Sequence, residues 1–430
     1  MWIFRQLLTL KRGPTACWRT KSGFLISLRL FWVVLVLWCE LGVFFWSLSS
    51  CRWPDAVLKS DTSSSFTHIL LIADPQILDQ YSYPGRAQWL TSLSQYMVDL
   101  NLRKSWNAVI SKFDPHMVIF LGDMMDNGRN NVNEDEYTRY YNRFRSIFQL
   151  DIPVYFLPGN HDVDLGYSFG RGSTARDRYR EHFGATNQQM NFDNHTTFVL
   201  IDAPGLVDED YHRHAAQVNF HEWRGSEGGT VNFLKNFTEN LPAGPIVLFS
   251  HIPFFRPDRI SCGPLREKGT IRPGMGRGYQ NLLLRETSSY ILESIRPSLI
   301  FSADDHDYCE YNHRLTDGST VREVTVKSFS MAMGIRRPGF QLLSLARSNS
   351  ASSLFALSAS DTLADVPCFL PDQIKIYTHG YAPFGVFTSP SARKPNLEPC
   401  VHARRGAFAF AFSAFSKIER IVCCHREESS

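Results

Sequence analysis

Six short apolar runs recur along the chain, each breaking off at a polar residue: HILLIAD (68–74), MVIFLGD (117–123), PVYFLPGN (153–160), TFVLID (197–202), PIVLFSH (245–251) and SLIFSADDH (298–306). They are rich in Val, Ile, Leu and Phe and apolar without alternation, which predicts strands buried on both faces. Helical patterns fill the intervals at 93–112, 134–149, 226–240 and 280–295. Strands alternating with helices predict a layered α/β domain. VREVTVKSFS (321–330) alternates apolar and polar residues, as a half-exposed strand does. Residues 346–365 are rich in Ser and Ala and read as a loop; beyond Pro383 the pattern is irregular, and GAFAFAFSAF (406–415) is well short of a bilayer span.

One run differs in kind. LFWVVLVLWCELGVFFWSL (30–48) is apolar over about one bilayer span of roughly 20 residues. Arg5, Lys11, Arg12, Arg19, Lys21 and Arg29 precede it, while Arg52 and Lys59 follow. The positive-inside rule predicts a cytosolic N-terminus and a lumenal or extracellular remainder. A cleaved secretory signal is the weaker reading, since the run is long and no small-x-small pattern follows it. The expected organisation is a basic N-terminus (1–29), an anchor (30–48), a polar linker (49–66), a catalytic domain (67–345) and an irregular C-terminal segment (346–430). Glu40 lies inside the span, where a carboxylate either has a partner or is protonated, and both readings stay open.

Composition narrows the class further. Of 430 residues 43% are hydrophobic and 20% charged, which excludes a disordered chain and a multi-span transporter. A net charge of +3, with much of the basic excess before residue 30, gives no reason to expect a nucleic-acid partner. Asn194-His-Thr and Asn236-Phe-Thr are glycosylation sequons suited to a lumenal domain. The nine cysteines form no regular framework, although Cys262 and Cys309 could pair in an oxidising compartment.

The ends of the runs carry the chemistry. Asp74 and Gln76 follow the first, Asp123 and Asp126 the second, and Asn160, His161 and Asp162 the third; His251 and then Asp304, Asp305 and His306 come later. In open α/β sheets ligands gather at the carboxyl ends of strands. One Asp there is usually a cap or turn former. Five such ends bearing carboxylate, amide or imidazole point instead to metal ions.

G-D-x-x-D-N-G-R (122–129) and G-N-H-D (159–162), with D-P-Q (74–76), His251 and D-D-H (304–306), together resemble the calcineurin-like metallophosphoesterase superfamily over residues 67 to 310. The resemblance implies a layered α/β fold, a β-sandwich flanked by helices, and two divalent metal ions. Asp74, Gln76, Asp123 and His306 would hold the first, and Asp123, Asn160, His251 and Asp304 the second. Gln76 and Asp304 stand where the superfamily pattern has histidine, and both still offer oxygen. A set rich in oxygen with two imidazoles suits Mn²⁺, with Fe or Mg²⁺ as alternatives. Two ions about 3.5–4 Å apart can clamp phosphate oxygens and activate a water for in-line displacement. His161 would protonate the leaving alkoxide, oriented by Asp126, with Asp162 structural and Arg129 either reaching the substrate phosphate or forming a surface salt bridge.

Narrower features resemble one branch. D-P-Q, D-D-H-D-Y-C-E-Y (304–311), Cys51-Arg-Trp-Pro and Cys368-Phe-Leu-Pro-Asp-Gln are similar to membrane enzymes that remove ethanolamine phosphate from glycosylphosphatidylinositol (GPI) glycans. That branch implies the GPI glycan of an anchored protein as substrate and the endoplasmic reticulum or early Golgi as location. A lumenal phosphomonoesterase or nucleotidase, and a non-catalytic metal-binding membrane protein, are the rival readings.

Overall fold

The computed structural model describes residues 16–58, 65–130, 133–165, 172–192, 196–346 and 362–388. Helix α1 (Ala16–Leu37) continues through a π-turn (Trp38–Gly42) into α2 (Val43–Leu48). By length and composition, Gly23–Leu48 could cross a membrane. The chain then runs through β1 (Phe66–Ile72), α3 (Gln88–Phe113), β2 (Met117–Phe120), α4 (Glu134–Ile147), β3 (Val154–Phe156), α5 (Asn160–Val163) and α6 (Gly172–Phe183). The second half contributes β4 (Gln188–Phe192), β5 (Thr196–Leu200), α7 (Ala203–Ala215), α8 (Thr230–Glu239) and β6 (Ile246–Phe249). A small hairpin, β7 (Met275–Gly276) with β8 (Tyr279–Gln280), precedes α9 (Arg285–Ile295) and β9 (Leu299–Ser302). The last strands are β10 (Cys309–Arg314), β11 (Thr320–Thr325), β12 (Gly339–Ala346) and β13 (Leu363–Phe369). α10 (Gln373–Lys375), a π-turn (Ile376–Tyr381) and α11 (Ala382–Thr388) close the described chain.

Two sheets form, ordered β13-β12-β1-β2-β3 and β10-β11-β9-β6-β5-β4. Successive side chains of a strand point to opposite faces, so a continuous apolar run feeds two cores at once. Ile69, Leu71, Ile119 and Leu121 of the first sheet meet Phe198, Val247, Phe249 and Phe301 of the second, filling the space between the sheets. Their neighbours Leu70, Ile72, Val118 and Phe120 face outward onto Trp106 of α3 and Phe144 of α4. On the far side Val199, Leu248 and Ile300 pack on Leu206, Leu234 and Ile291 of α7, α8 and α9. The result is helices, sheet, sheet, helices. Local chemistry sets the helix ends: Asn133 caps α4 by accepting from the Glu136 N–H at 2.8 Å, with three acids in the first turn, while α3 ends in left-handed Asp114.

Three segments differ from expectation. β13 lies in the stretch expected to be irregular, yet it pairs antiparallel with β12 as an edge strand, a position that tolerates Pro367 and hides the strand from a propensity reading. β11 was expected to be half exposed, but β9 and β10 flank it and most of it is buried. Residues 49–58, expected to be a linker, are docked. Cys51 is disulfide-bonded to Cys368, the Trp53 indole donates to the Phe113 carbonyl at 2.9 Å, and Asp55 accepts from the Ser344 hydroxyl at 2.6 Å. Cys262 and Cys309 are joined, with Cα atoms 4.4 Å apart. Glu40 has partners: the Lys104 ammonium at 2.5 Å and the Tyr381 hydroxyl at 2.7 Å.

Behind the second sheet Glu323 is fully buried, ion-paired with Arg256 at 2.8 Å and bonded to the His313 ring and the Ser302 hydroxyl, each at 2.6 Å. Burial pushes this carboxyl up, but Arg256 and His313 outweigh it and hold it at about 2. A pKa lowered on folding contributes stability above the unfolded carboxylate range, about 4.3, which is lost as pH falls through about 2. Glu323→Gln leaves Arg256 buried without a counter-charge and is expected to cost about 3–5 kcal/mol, measured by denaturant unfolding at pH 7. Unchanged stability would contradict this account.

Candidate metal centre

The loops leaving β1, β2, β3, β6 and β9 meet at one edge of the sandwich, and those after β1, β2 and β9 bend sharply to turn their polar residues inward. Asp74, Gln76, Asp123, Asp304 and His306 all have positive φ, between 38° and 67°. Left-handed backbone is strained for residues with side chains, by about 1–3 kcal/mol each, and persists where the surroundings enforce it. Two glycines make the close packing feasible. A Cβ on Gly122 would sit 2.3 Å from Nδ1 of His251, and one on Gly159 only 2.1 Å from Oδ1 of Asp123. Asp162 staples the loops together: Oδ1 accepts from the Met124 and Met125 N–H groups at 3.0 and 3.2 Å, and Oδ2 from Gly159 N–H at 3.0 Å.

The expected ligands fall into two groups. Ligand atoms of Asp74, Asp123 and His306 lie within 4.8 Å of one another, as do those of Asp123, His251 and Asp304. Asp123 belongs to both. His251 donates from Nδ1 to the Leu121 carbonyl at 2.7 Å, which aims Nε2 at Asn160 Oδ1 at 3.2 Å and the carboxylates of Asp123 and Asp304 at 3.5 Å. Asn160 is oriented in turn, because its Nδ2 donates to the Gly278 carbonyl at 2.9 Å and its oxygen therefore faces the cluster. The D-D-H-D run alternates: Asp304 and His306 face the centre, while Asp305 pairs with Arg266 at 2.6 Å and Asp307 accepts from the Glu267 and Lys268 N–H groups.

The residues fit cations. Asp74 Oδ2, Gln76 Oε1 and Asp123 Oδ2 are buried without any hydrogen-bond donor, and all three belong to the expected ligand set. Buried acceptors without a donor are costly, and a divalent ion would satisfy them together. Charge crowding says the same. Burial, with Asp123 and Asp304 close by, drives the Asp74 carboxyl well up, whereas Asp123, although buried, is held low by His251 and His161. Burial and then the Lys268 charge depress His306 to about 3, so its ring is neutral and its lone pair is available to a metal.

His161 stands outside both groups. Its Nδ1 contacts the Asp126 backbone carbonyl at 2.5 Å and the Asp126 carboxylate at 3.3 Å. Burial alone would lower its pKa, but Asp123 and Asp126 outweigh burial and the nearby Arg129 and raise it above the ordinary imidazole value. Gln76 joins this pair to the metal residues: Nε2 donates to Asp126 at 2.9 Å while Oε1 remains without a donor.

Arg129, read as a phosphate contact or a salt bridge, donates from Nη1 to the Gly278 carbonyl at 2.7 Å. Gly278 was missed because a backbone carbonyl has no side-chain signature. The hairpin turn that aims it shows only as R-G-Y in sequence, with Gly278 at φ 80°. Asn236 is exposed on α8; Asn194 lies outside the described residues. Asp123→Ala is expected to lose both ions, whereas Gln76→Ala should weaken only the first and be rescued by excess manganese. Elemental analysis of purified protein checks this, and equal metal content in wild type and Asp123→Ala would overturn the shared-ligand arrangement.

Residues 67–308 match the family described as calcineurin-like phosphoesterase. Cell division control protein 1 of Saccharomyces cerevisiae is 34% identical over 81% of this chain and 72% of its own. Metallophosphoesterase 1 of Ailuropoda melanoleuca is 23% identical over 81% of this chain and 88% of its own, and the Metallophosphoesterase 1 homolog of Caenorhabditis elegans 25% over 70% and 76%. Among solved structures, purple acid phosphatase PPD1 from yellow lupin aligns at 11% identity with a TM-score of 0.40, over 80% of this chain but 59% of that one, too loose a likeness to bear on the site. By its motifs, its clustered ligands and these relatives, the chain belongs to the calcineurin-like phosphoesterase family of metal-dependent phosphoric ester hydrolases.

Proposed function

We propose that this protein is a membrane-anchored phosphodiesterase that removes ethanolamine phosphate from a mannose of the GPI-anchor glycan, on the lumenal face of the early secretory pathway. The observation that carries the catalytic part is the shared position of Asp123 in two ligand groups, with the His161–Asp126 pair beside them but outside both. The substrate class is supported by the D-P-Q and D-D-H-D-Y-C-E-Y forms, and by the Cys51-Arg-Trp-Pro and Cys368-Phe-Leu-Pro-Asp-Gln segments, which the disulfide brings together. The apolar helix Gly23–Leu48 with its basic flank supports the anchor and its orientation.

Asp74, Gln76, Asp123, Asn160, His251, Asp304 and His306 would hold two divalent ions, manganese by the oxygen-rich donor set. When bound, the ions supply Lewis acidity toward the phosphate and a nucleophilic water. The chain's own groups handle the proton. His161, whose pKa Asp123 and Asp126 raise, donates to the departing alkoxide oxygen, and Asp126 fixes the ring through Nδ1. Gln76 and the Gly278 carbonyl keep Asp126 and Asn160 in place. Arg129, tethered by Gly278 and close enough to His161 to act on its charge, suits a non-bridging phosphate oxygen.

His161→Asn should retain metal while lowering hydrolysis of alkyl phosphodiesters by about 10²–10⁴-fold, the range for general acid catalysis. An activated aryl phosphodiester needs little protonation and should fall much less. Equal losses on both substrates, or loss of metal, would make His161 a ligand or structural residue. In cells lacking the protein, mass spectrometry of GPI glycans should find retained ethanolamine phosphate, and unaltered glycans would reject the substrate class. Glycosidase should shift the mobility of the expressed protein, and replacing Asn194 and Asn236 together should abolish the shift; a catalytic domain digested by protease outside sealed microsomes would reverse the topology.

A further inference from the structure

The anchor does not hang from the domain by a loose tether; it is bolted along α3, and that contact has a direction. Lys104 meets Glu40, and the Lys112 ammonium meets the Leu48 carbonyl, both at an offset of 64 residues. The two helices therefore run the same way through their contact. Moving down the anchor from Leu48 toward Gly23, into the bilayer, is moving along α3 from Lys112 toward its N-terminus. That end of α3 follows directly from the loop after β1 that carries Asp74 and Gln76. The edge of the sandwich holding the metal centre thus points toward the membrane.

The N-terminal half of α3 has a surface suited to that position. Trp89, Leu93, Tyr96 and Leu100 are spaced four, three and four residues apart, one face of a helix, and the face leads to Lys104. Over roughly 22 Å, at 1.5 Å per residue, this stripe continues the line of the anchor contact. Trp89 is 55% and Tyr96 64% exposed, with Leu93 and Leu100 half-buried between them, while the opposite face, with Val98, Leu102 and Trp106, is buried in the domain. Residues 23–37 of the anchor are largely exposed, so α3 diverges from the anchor beyond Lys104 and its stripe meets a bilayer obliquely. Tryptophan and tyrosine are the residues that settle at the boundary between headgroups and acyl chains.

We infer that the Trp89–Leu93–Tyr96–Leu100 face of α3 is a membrane-docking surface that lies in the bilayer interface beside the anchor and turns the metal centre toward substrates on that surface. This rests on the reading of Gly23–Leu48 as a membrane anchor. The occupant is lipid, because the stripe is continuous with the anchor helix and carries aromatic residues at its exposed positions.

The full chain in phosphatidylcholine nanodiscs tests this, with the photo-crosslinker p-benzoylphenylalanine replacing one residue at a time. Positions Trp89 and Tyr96 should give lipid adducts, as should Val34 in the anchor, while exposed Arg139 on α4 should give none. Adducts at Val34 without any at Trp89 or Tyr96 would overturn the docking surface and leave the anchor standing. Failure at Val34 would overturn the anchor and the docking surface with it. Protein rather than lipid adducts at Trp89 and Tyr96 would also overturn it, assigning the face to a second copy or another protein. The double variant Trp89→Ser, Tyr96→Ser should lose several-fold activity on a membrane-borne phosphodiester and none on a soluble aryl phosphodiester; equal losses would mean that the residues serve folding, against the inference.

Discussion

Asp74 and Asp123 are fully buried and Asp304 stands partly buried beside them, and the loops of the site are arranged around that repulsion. Each carboxylate on its own would be costly to bury, and the three compound one another. His251 supplies one balancing charge, yet three buried oxygens still lack any donor. The crowding makes sense as a socket for cations, and the uncompensated acceptors mark where the cations belong.

Holding such a socket open takes backbone that relaxed loops do not adopt. Five of its residues sit in left-handed conformations, which persist only because two β-sheets clamp the loops from either side. Gly122 and Gly159 admit His251 and Asp123 at distances no side chain would allow, and Asp162 ties one loop to the other through three backbone N–H groups. Strain at the site is offset by packing elsewhere: the strands leading into it are buried on both faces. Gln76 shows the economy of the arrangement, since one amide serves the metal residues with its oxygen and Asp126 with its nitrogen.

The same fold holds the apolar N-terminal helix against the domain. β13 brings Cys368 to Cys51 at the root of the apolar helix, and α3 offers Lys104 and Lys112 to its polar points. Glu40, an anomaly in a hydrophobic run, becomes the point of attachment between helix and domain.

The sequence by itself determined the strand runs, the layered α/β class, the apolar helix and the identity of the polar residues at the strand ends, because apolar periodicity and short spaced motifs are local properties. β13 and the docking of residues 49–58 were not legible, since an edge strand with Pro367 and a polar segment acquire their structure from partners distant in sequence. The place of Asp123 in both ligand groups was expected from the family resemblance, and its atoms lie in both clusters, but the sequence could not tell that Gln76 bridges to Asp126 or that Gly278 aims Asn160 with a carbonyl. Those contacts join residues far apart in sequence, Asn160 and Gly278 by 118 positions, and depend on how two sheets converge. Residue types fixed which chemistry was available, and only the tertiary structure decided which atoms share it, because proximity across the sheets is a property of packing and not of any segment.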